Sequence, residues 1–152
     1  RLQSLTLLGS IYTRSEDQQK VVNDRFNLAK KNHTLSKQAL KRWFTDKYLE
    51  KNPNIYEKIS SILEGNNMEN FLKVYELFVL HKNDENFKNI KVNTLIMTGE
   101  NDIGSTVEMS KNLSNVIENS QLKVIENGKH LCGIECADEV NMTIKNFIKD
   151  NG

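Results

Sequence analysis

At 152 residues the chain has the size of one domain, with room for a sizeable core. Its 21 basic and 20 acidic residues leave a formal net charge of +1, which gives no overall pull toward nucleic acid or an anionic membrane. No apolar run nears the roughly 18 residues of a membrane span, nothing at the start reads as a secretory signal, and two cysteines four positions apart, Cys132 and Cys136, do not make a secreted disulfide framework. The expected setting is cytoplasmic, with neither nucleic acid nor membrane as a partner.

Arg1 leads almost at once into the apolar run Leu5-Thr6-Leu7-Leu8, so the sequence reads as a piece of something longer. Ser4 to Tyr12 (SLTLLGSIY) predicts a short buried strand that runs into a loop at Gly9 and Ser10. A long helical region follows. Ser15 and Gln18 have capping-box spacing, and Val22, Phe26 and Ala29 fall on one helical face behind them. A second helix is expected over residues 36–49, with Leu40, Trp43, Phe44 and Lys47 as near neighbours on its surface. Asn52-Pro53 reads as N-cap and first residue of a third helix, with an apolar stripe of Ile55, Ile59, Ile62 and Leu63 and a stop at Gly65. A fourth runs from about Met68 to His81, turning Phe71, Leu72, Tyr75, Phe78 and Val79 inward.

After the polar stretch Lys82 to Asn86 the pattern changes. Val92 to Thr98 is strand-like, and Ser105-Thr106-Val107-Glu108 has capping-box spacing before a helix through Met109, Leu113, Val116 and Ile117. Leu122 to Ile125 predicts a third strand, and Ala137 to Lys149 a last helix with Val140, Ile144, Phe147 and Ile148. Strands alternating with helices imply right-handed parallel crossovers and a sheet covered on both faces. The fold class expected is therefore α/β: a parallel sheet of about three strands with flanking helices. Four helices are too many for one crossover, so residues 13–85 are expected to form an inserted all-helical lid. Residues 1–12 then supply a core strand, and 86–152 the C-terminal α/β segment.

In open parallel sheets reactive groups collect beyond the carboxyl ends of the strands. Asp102 lies there after the second strand and His130 after the third, separated by one helix, one strand and their turns. An imidazole that takes a proton must keep one tautomer and tolerate a transient positive charge. A carboxylate on its Nδ1–H provides both. Taken singly, each has a plainer explanation: an aspartate after a strand is ordinary turn chemistry, and most histidines are not catalytic. Gly99 and Gly128 offer the sharp turns that would let the two side chains meet.

Residues 89–148 carry the pattern further. NIKVNTLIMTGENDIGST resembles a run in which an Ile-x-Val-Pro-Thr-Leu segment enters a strand and a Gly-x-x-Asp turn follows. VIENGKHLCG resembles a turn of the Gly-x-Gly-His type. Both belong to the end of the α/β-hydrolase fold, and within it the resemblance is to the esterase and enol-lactonase group. The resemblance implies that Asp102 is the acid and His130 the base of a Ser-Asp-His triad, that residues 13–85 are the lid, and that the substrate is a small ester or lactone. Three departures stand out: Asn93 replaces a common proline, Lys129 replaces the glycine before the histidine, and Cys132 replaces a small or apolar residue.

The family places its nucleophile on a G-x-S-x-G elbow ahead of the acid and the histidine, and no such motif occurs in the 152 residues. The chain is expected to hold the back half of the fold and to need the missing N-terminal half for activity. Two alternatives stay open: an aspartate nucleophile of the dehalogenase type, and a non-catalytic fragment that packs or self-associates as a homo-oligomer through an exposed sheet edge. Other candidates are weaker. His130, Cys132, Glu135 and Cys136 lack zinc-site spacing, a Cys132 nucleophile sits awkwardly two residues from His130, and no Gly-rich phosphate loop is present, so no metal or cofactor is expected. Trp43, Phe44, Tyr48 and Tyr75 are candidates either for a substrate pocket or for plain core.

Overall fold

A computed structural model describes residues 2–32, 36–81 and 85–151. Most of the polar 82–86 stretch, Lys82 to Asp84, lies outside the described residues. The chain divides into two compact units: Arg1–Thr13, Arg42–Thr45 and Asp84–Gly152 form one, and Arg14–Lys41 with Asp46–Asn83 the other.

The first unit is built on three parallel strands, β1 (Ser4–Leu8), β2 (Asn93–Gly99) and β3 (Ser120–Ile125), in the order β1-β2-β3. β2 is the central strand and is buried from Thr94 to Gly99. Its alternating side chains feed two cores, as the pleat requires. Leu95 and Met97 pack with Ile125, Cys132, Val140 and Phe147, the last two from α8 (Ala137–Asn151). Ile96 points the other way, into a cluster with Leu113 and Ile117 beside α6 (Val107–Val116). A side chain of this kind contributes roughly 1.5–3 kcal/mol by leaving water. β1 is only half-buried, not fully buried as its composition predicts, and among the described strands it pairs on one side alone.

In the second unit α1 (Glu16–Asn32) opens as its sequence predicts. The Gln18 amide donates to Ser15 Oγ at 3.2 Å, and the Ser15 amide to Gln18 Oε1 at 2.9 Å, closing the capping box. Val22, Phe26 and Ala29 are buried, and the first two pack with Val79, Leu72 and Tyr75 of α5 (Met68–Leu80). Arg14 covers the far end of α5: its guanidinium donates to the Phe78 and Val79 carbonyls and lies 4.5 Å from the Phe78 ring centroid. A cation there suits the negative end of the helix.

Several local expectations fail for identifiable reasons. The helix predicted over 36–49 is two helices, α2 (Ser36–Trp43) and α3 (Asp46–Lys51), broken at Phe44 and Thr45. The Trp43 carbonyl and Thr45 amide bond to groups beyond β3, so the helical ladder loses them. In α4 (Pro53–Glu64) Pro53 does open the helix, but Asn52 turns its side chain back to the Tyr48 carbonyl and the isoleucine stripe is not buried. Phe78 is exposed beneath Arg14, and Ile148 of α8 is exposed too. The cap of α6 is Thr106, one residue later than Ser105; the Thr106 hydroxyl accepts from the Met109 amide, and the Ser105 hydroxyl is buried with no partner among the described residues. A 3₁₀ turn at Glu85–Asn89 and the four-residue helix α7 (Cys132–Glu135) carry no periodic signal.

Candidate active site

Asp102 and His130 meet. Parallel pairing of β2 with β3 sets Gly99 opposite Ile125, so the turns after the two strands leave the sheet side by side. The Glu100 amide donates to the Ile125 carbonyl and the Asn101 amide to the Gly128 carbonyl, both at 2.9 Å. Across this seam Asp102 Oδ2 lies 2.8 Å from His130 Nδ1.

Asp102 has two tasks, one for each oxygen. Oδ1 accepts from the Gly104 amide at 2.7 Å and the Ser105 amide at 3.0 Å, which fixes the aspartate's own turn. Oδ2 is left for the imidazole. The Asp102 side chain is 2 % exposed and that of His130 is 35 % exposed, so a buried acceptor holds a ring that still reaches the surface. With Nδ1–H donating to the carboxylate, Nε2 carries the free lone pair. That is the tautomer able to accept a proton from an outside group. Behind this pair the Thr98 hydroxyl donates to the Ser105 carbonyl at 2.6 Å, anchoring the loop to β2.

The glycines act by absence of bulk more than by dihedral freedom. A Cβ at Gly99 would lie 2.4 Å from both the Gly128 and Lys129 carbonyl oxygens, so a side chain there would push the turns apart. At Gly128 the obstacle is Cys132 Cβ, at 2.8 Å. The left-handed residue of this turn is instead Asn127, with φ 57°. Lys129 has no positive φ, so the loss of a glycine before the histidine costs the turn nothing. On its other side the ring rests against the end of β1: Gly9, with φ 61°, has its missing Cβ position 3.5 Å from His130 Cε1.

The remaining candidates disperse. Cys132 is fully buried in the core under β2, where desolvation first, then Cys136 and Asp102, push its thiol up to about 11. It is neither a ready nucleophile nor a companion ligand to His130. Among the described residues no three His, Cys, Asp or Glu side chains are placed to hold a metal ion. Among the same residues no helix is long and apolar enough to cross a membrane. Phe44 is completely buried, and Tyr75 stacks against Phe26, Phe71 and Phe78, so both are core.

Two groups near the histidine were not expected to act there. The Glu135 carboxylate accepts from the Lys129 amide at 3.3 Å, from the Thr45 amide at 3.1 Å and from the Thr45 hydroxyl. The five-residue interval from His130 to Glu135 was the available signal for the first. Nothing near Thr45 distinguishes it.

No family model matches the chain. It is 25% identical over 149 residues to (E)-2-((N-methylformamido)methylene)succinate hydrolase of Acinetobacter baylyi, a match that covers 95% of this chain and 55% of that protein. It is 26% identical over 115 residues to 3-oxoadipate enol-lactonase 2 of the same organism, covering 76% and 43%. Among solved structures, an enol-lactonase from Burkholderia xenovorans superposes with a TM-score of 0.88 at 23% identity, over 98% of this chain and 57% of that one. The chain thus spans about half the length of the curated relatives it matches.

Proposed function

We propose that this chain, whose fold is part of the α/β-hydrolase fold, supplies the acid and the base of a Ser-Asp-His triad in a hydrolase of small carboxylic esters or lactones. The observation that carries the reading is the 2.8 Å contact between Asp102 and His130 at the ends of adjacent parallel strands. In this mechanism His130 Nε2 takes the proton of a serine hydroxyl as the oxygen attacks the substrate carbonyl. It then returns that proton to the leaving oxygen, and on the second pass activates water. Asp102 keeps the ring in the accepting tautomer and stabilises the imidazolium. The serine, and the backbone donors that would receive the oxyanion, belong to a part of the fold beyond these residues. The outer edge of β1, unpaired among the described strands, is where that part would continue the sheet. Self-association through the same edge is the competing outcome. The names of the relatives support a lactone or an acyclic acid derivative as substrate class.

The test joins this chain to the nucleophile-bearing remainder of the Acinetobacter baylyi enol-lactonase and measures phenyl acetate and enol-lactone turnover. The joined protein is expected to turn over, with Asp102→Asn lowering kcat by about 10⁴ and His130→Ala by about 10⁶. Equal turnover by the 152 residues alone, surviving His130→Ala, would refute the assignment.

A further inference from the structure

His130 sits in a turn only four residues long between Asn127 and α7, and a turn that short does not by itself fix a ring. The residues on either side of it are both tethered, and both tethers lead to one place. The Leu131 amide donates to the Trp43 carbonyl at 2.9 Å. The Lys129 amide donates to Glu135 Oε2, and the other oxygen of the same carboxylate receives the Thr45 amide and hydroxyl. Residues 43–45 are where the predicted long helix breaks, and they belong to the α/β unit. The lost helical bonds and the anchored histidine are thus two sides of one arrangement.

We propose that Glu135 is a positioning residue for His130, acting through Lys129 and Thr45 to hold the imidazole toward Asp102. This inference rests on the reading of His130 as the base. Glu135 does not touch the ring; it removes the freedom of the backbone that carries it. Without the carboxylate, the Lys129 and Thr45 amides lose the acceptor it provides, while the turn keeps the Trp43 tether at Leu131 and the Asn101 amide bond to the Gly128 carbonyl. The ring then samples orientations in which Nδ1 no longer faces Oδ2. Gln retains an oxygen acceptor at the same reach, so Glu135→Gln keeps part of the clamp, and Glu135→Ala keeps none.

The experiment follows the His130 Nδ1 proton by NMR in the histidine-labelled 152-residue chain. Glu135→Ala is expected to speed its exchange with water on the order of tenfold, the effect of losing a hydrogen bond to a charged group, while Glu135→Gln stays nearer the parent. A role limited to overall stability would move the unfolding midpoint and leave this proton alone, so an unchanged exchange rate in Glu135→Ala overturns the proposal. Should that variant fail to fold, Thr45→Val removes one donor only. A several-fold rise in exchange then supports the clamp, and parental exchange overturns it. Asp102→Asn separates the two levels: if it leaves the proton as protected as in the parent, the dyad itself fails, whatever Glu135 does.

Discussion

Substituting alanine for Gly99 tests the seam between the two turns. The added methyl carbon would lie 2.4 Å from two carbonyl oxygens and 2.6 Å from the Gly128 carbonyl carbon, all backbone atoms that no rotamer change can move aside. Real methyl carbons essentially never come within 3.0 Å, so the turns must part by roughly 0.6 Å. Added to the 2.8 Å contact of Asp102 with His130, that displacement gives a separation of about 3.4 Å, longer than the usual ~2.7–3.2 Å of a nitrogen–oxygen hydrogen bond and therefore much weakened. The neighbouring Asn101 amide bond to Gly128, at 2.9 Å, is strained by the same movement. Overpacking of this kind costs ~1–3 kcal/mol, and the dyad is weakened with it. Urea unfolding reads the first effect and the His130 Nδ1 proton signal reads the second. Gly104→Ala is the matched control, because its Cβ would stand 3.4 Å from Asp102 Oδ1, with nothing nearer. A Gly99→Ala chain with the parental midpoint and an unchanged proton signal would refute the argument from close approach.

Other consequences are independent of that seam. Thr106→Ala should destabilise the chain by about 1 kcal/mol in urea unfolding, since the Thr106 hydroxyl accepts from the Met109 amide at 3.2 Å and caps α6. Ser105→Ala should be neutral or stabilising in the same assay, because the buried Ser105 hydroxyl has no partner to lose. Cys132 gives a pH dependence. Its thiol ionises near 9.0 in an unfolded chain and near 11 in the fold, so the unfolded state binds fewer protons between those values and stability falls as pH rises through them, by ~2–3 kcal/mol in all. Unfolding midpoints measured from pH 8 to 11 should show that slope, and Cys132→Ala should flatten it. Arg14→Ala should lower stability by about 1–2 kcal/mol by uncovering the Phe78 and Val79 carbonyls; an unchanged midpoint would show that water replaces the guanidinium at no cost.

The sequence disclosed what depends on local repetition and on short punctuation. The unbroken apolar run in TLIMT announces a strand buried on both faces, and the capping box at Ser15 and Gln18 forms as spelled out. Asp102 and His130 were legible because each follows its own strand, and parallel pairing brings such ends together. What stayed hidden depends on partners far along the chain. Helix 36–49 breaks because Trp43 and Thr45 give their backbone groups to residues 131 and 135, a demand that no helical period records. The cap of α6 is Thr106 where the spacing pointed to Ser105, whose backbone is held in the Asp102 turn through its amide and in a bond from Thr98 through its carbonyl. The isoleucines of α4 have the spacing of a buried stripe, yet spacing alone does not supply a surface to bury against. Even the glycines mislead in part: Gly99 reads as the residue that allows a sharp turn, whereas what it provides is room for two carbonyls to come close.

The most direct test of the central claim is the rate at which a fluorophosphonate labels the joined protein, with mass spectrometry to locate the adduct. The account predicts a label on a serine outside these 152 residues, formed at a rate that Asp102→Asn reduces by about 10⁴ and His130→Ala by still more. A label on a residue of this chain, or labelling that proceeds at the parental rate in both variants, would contradict it.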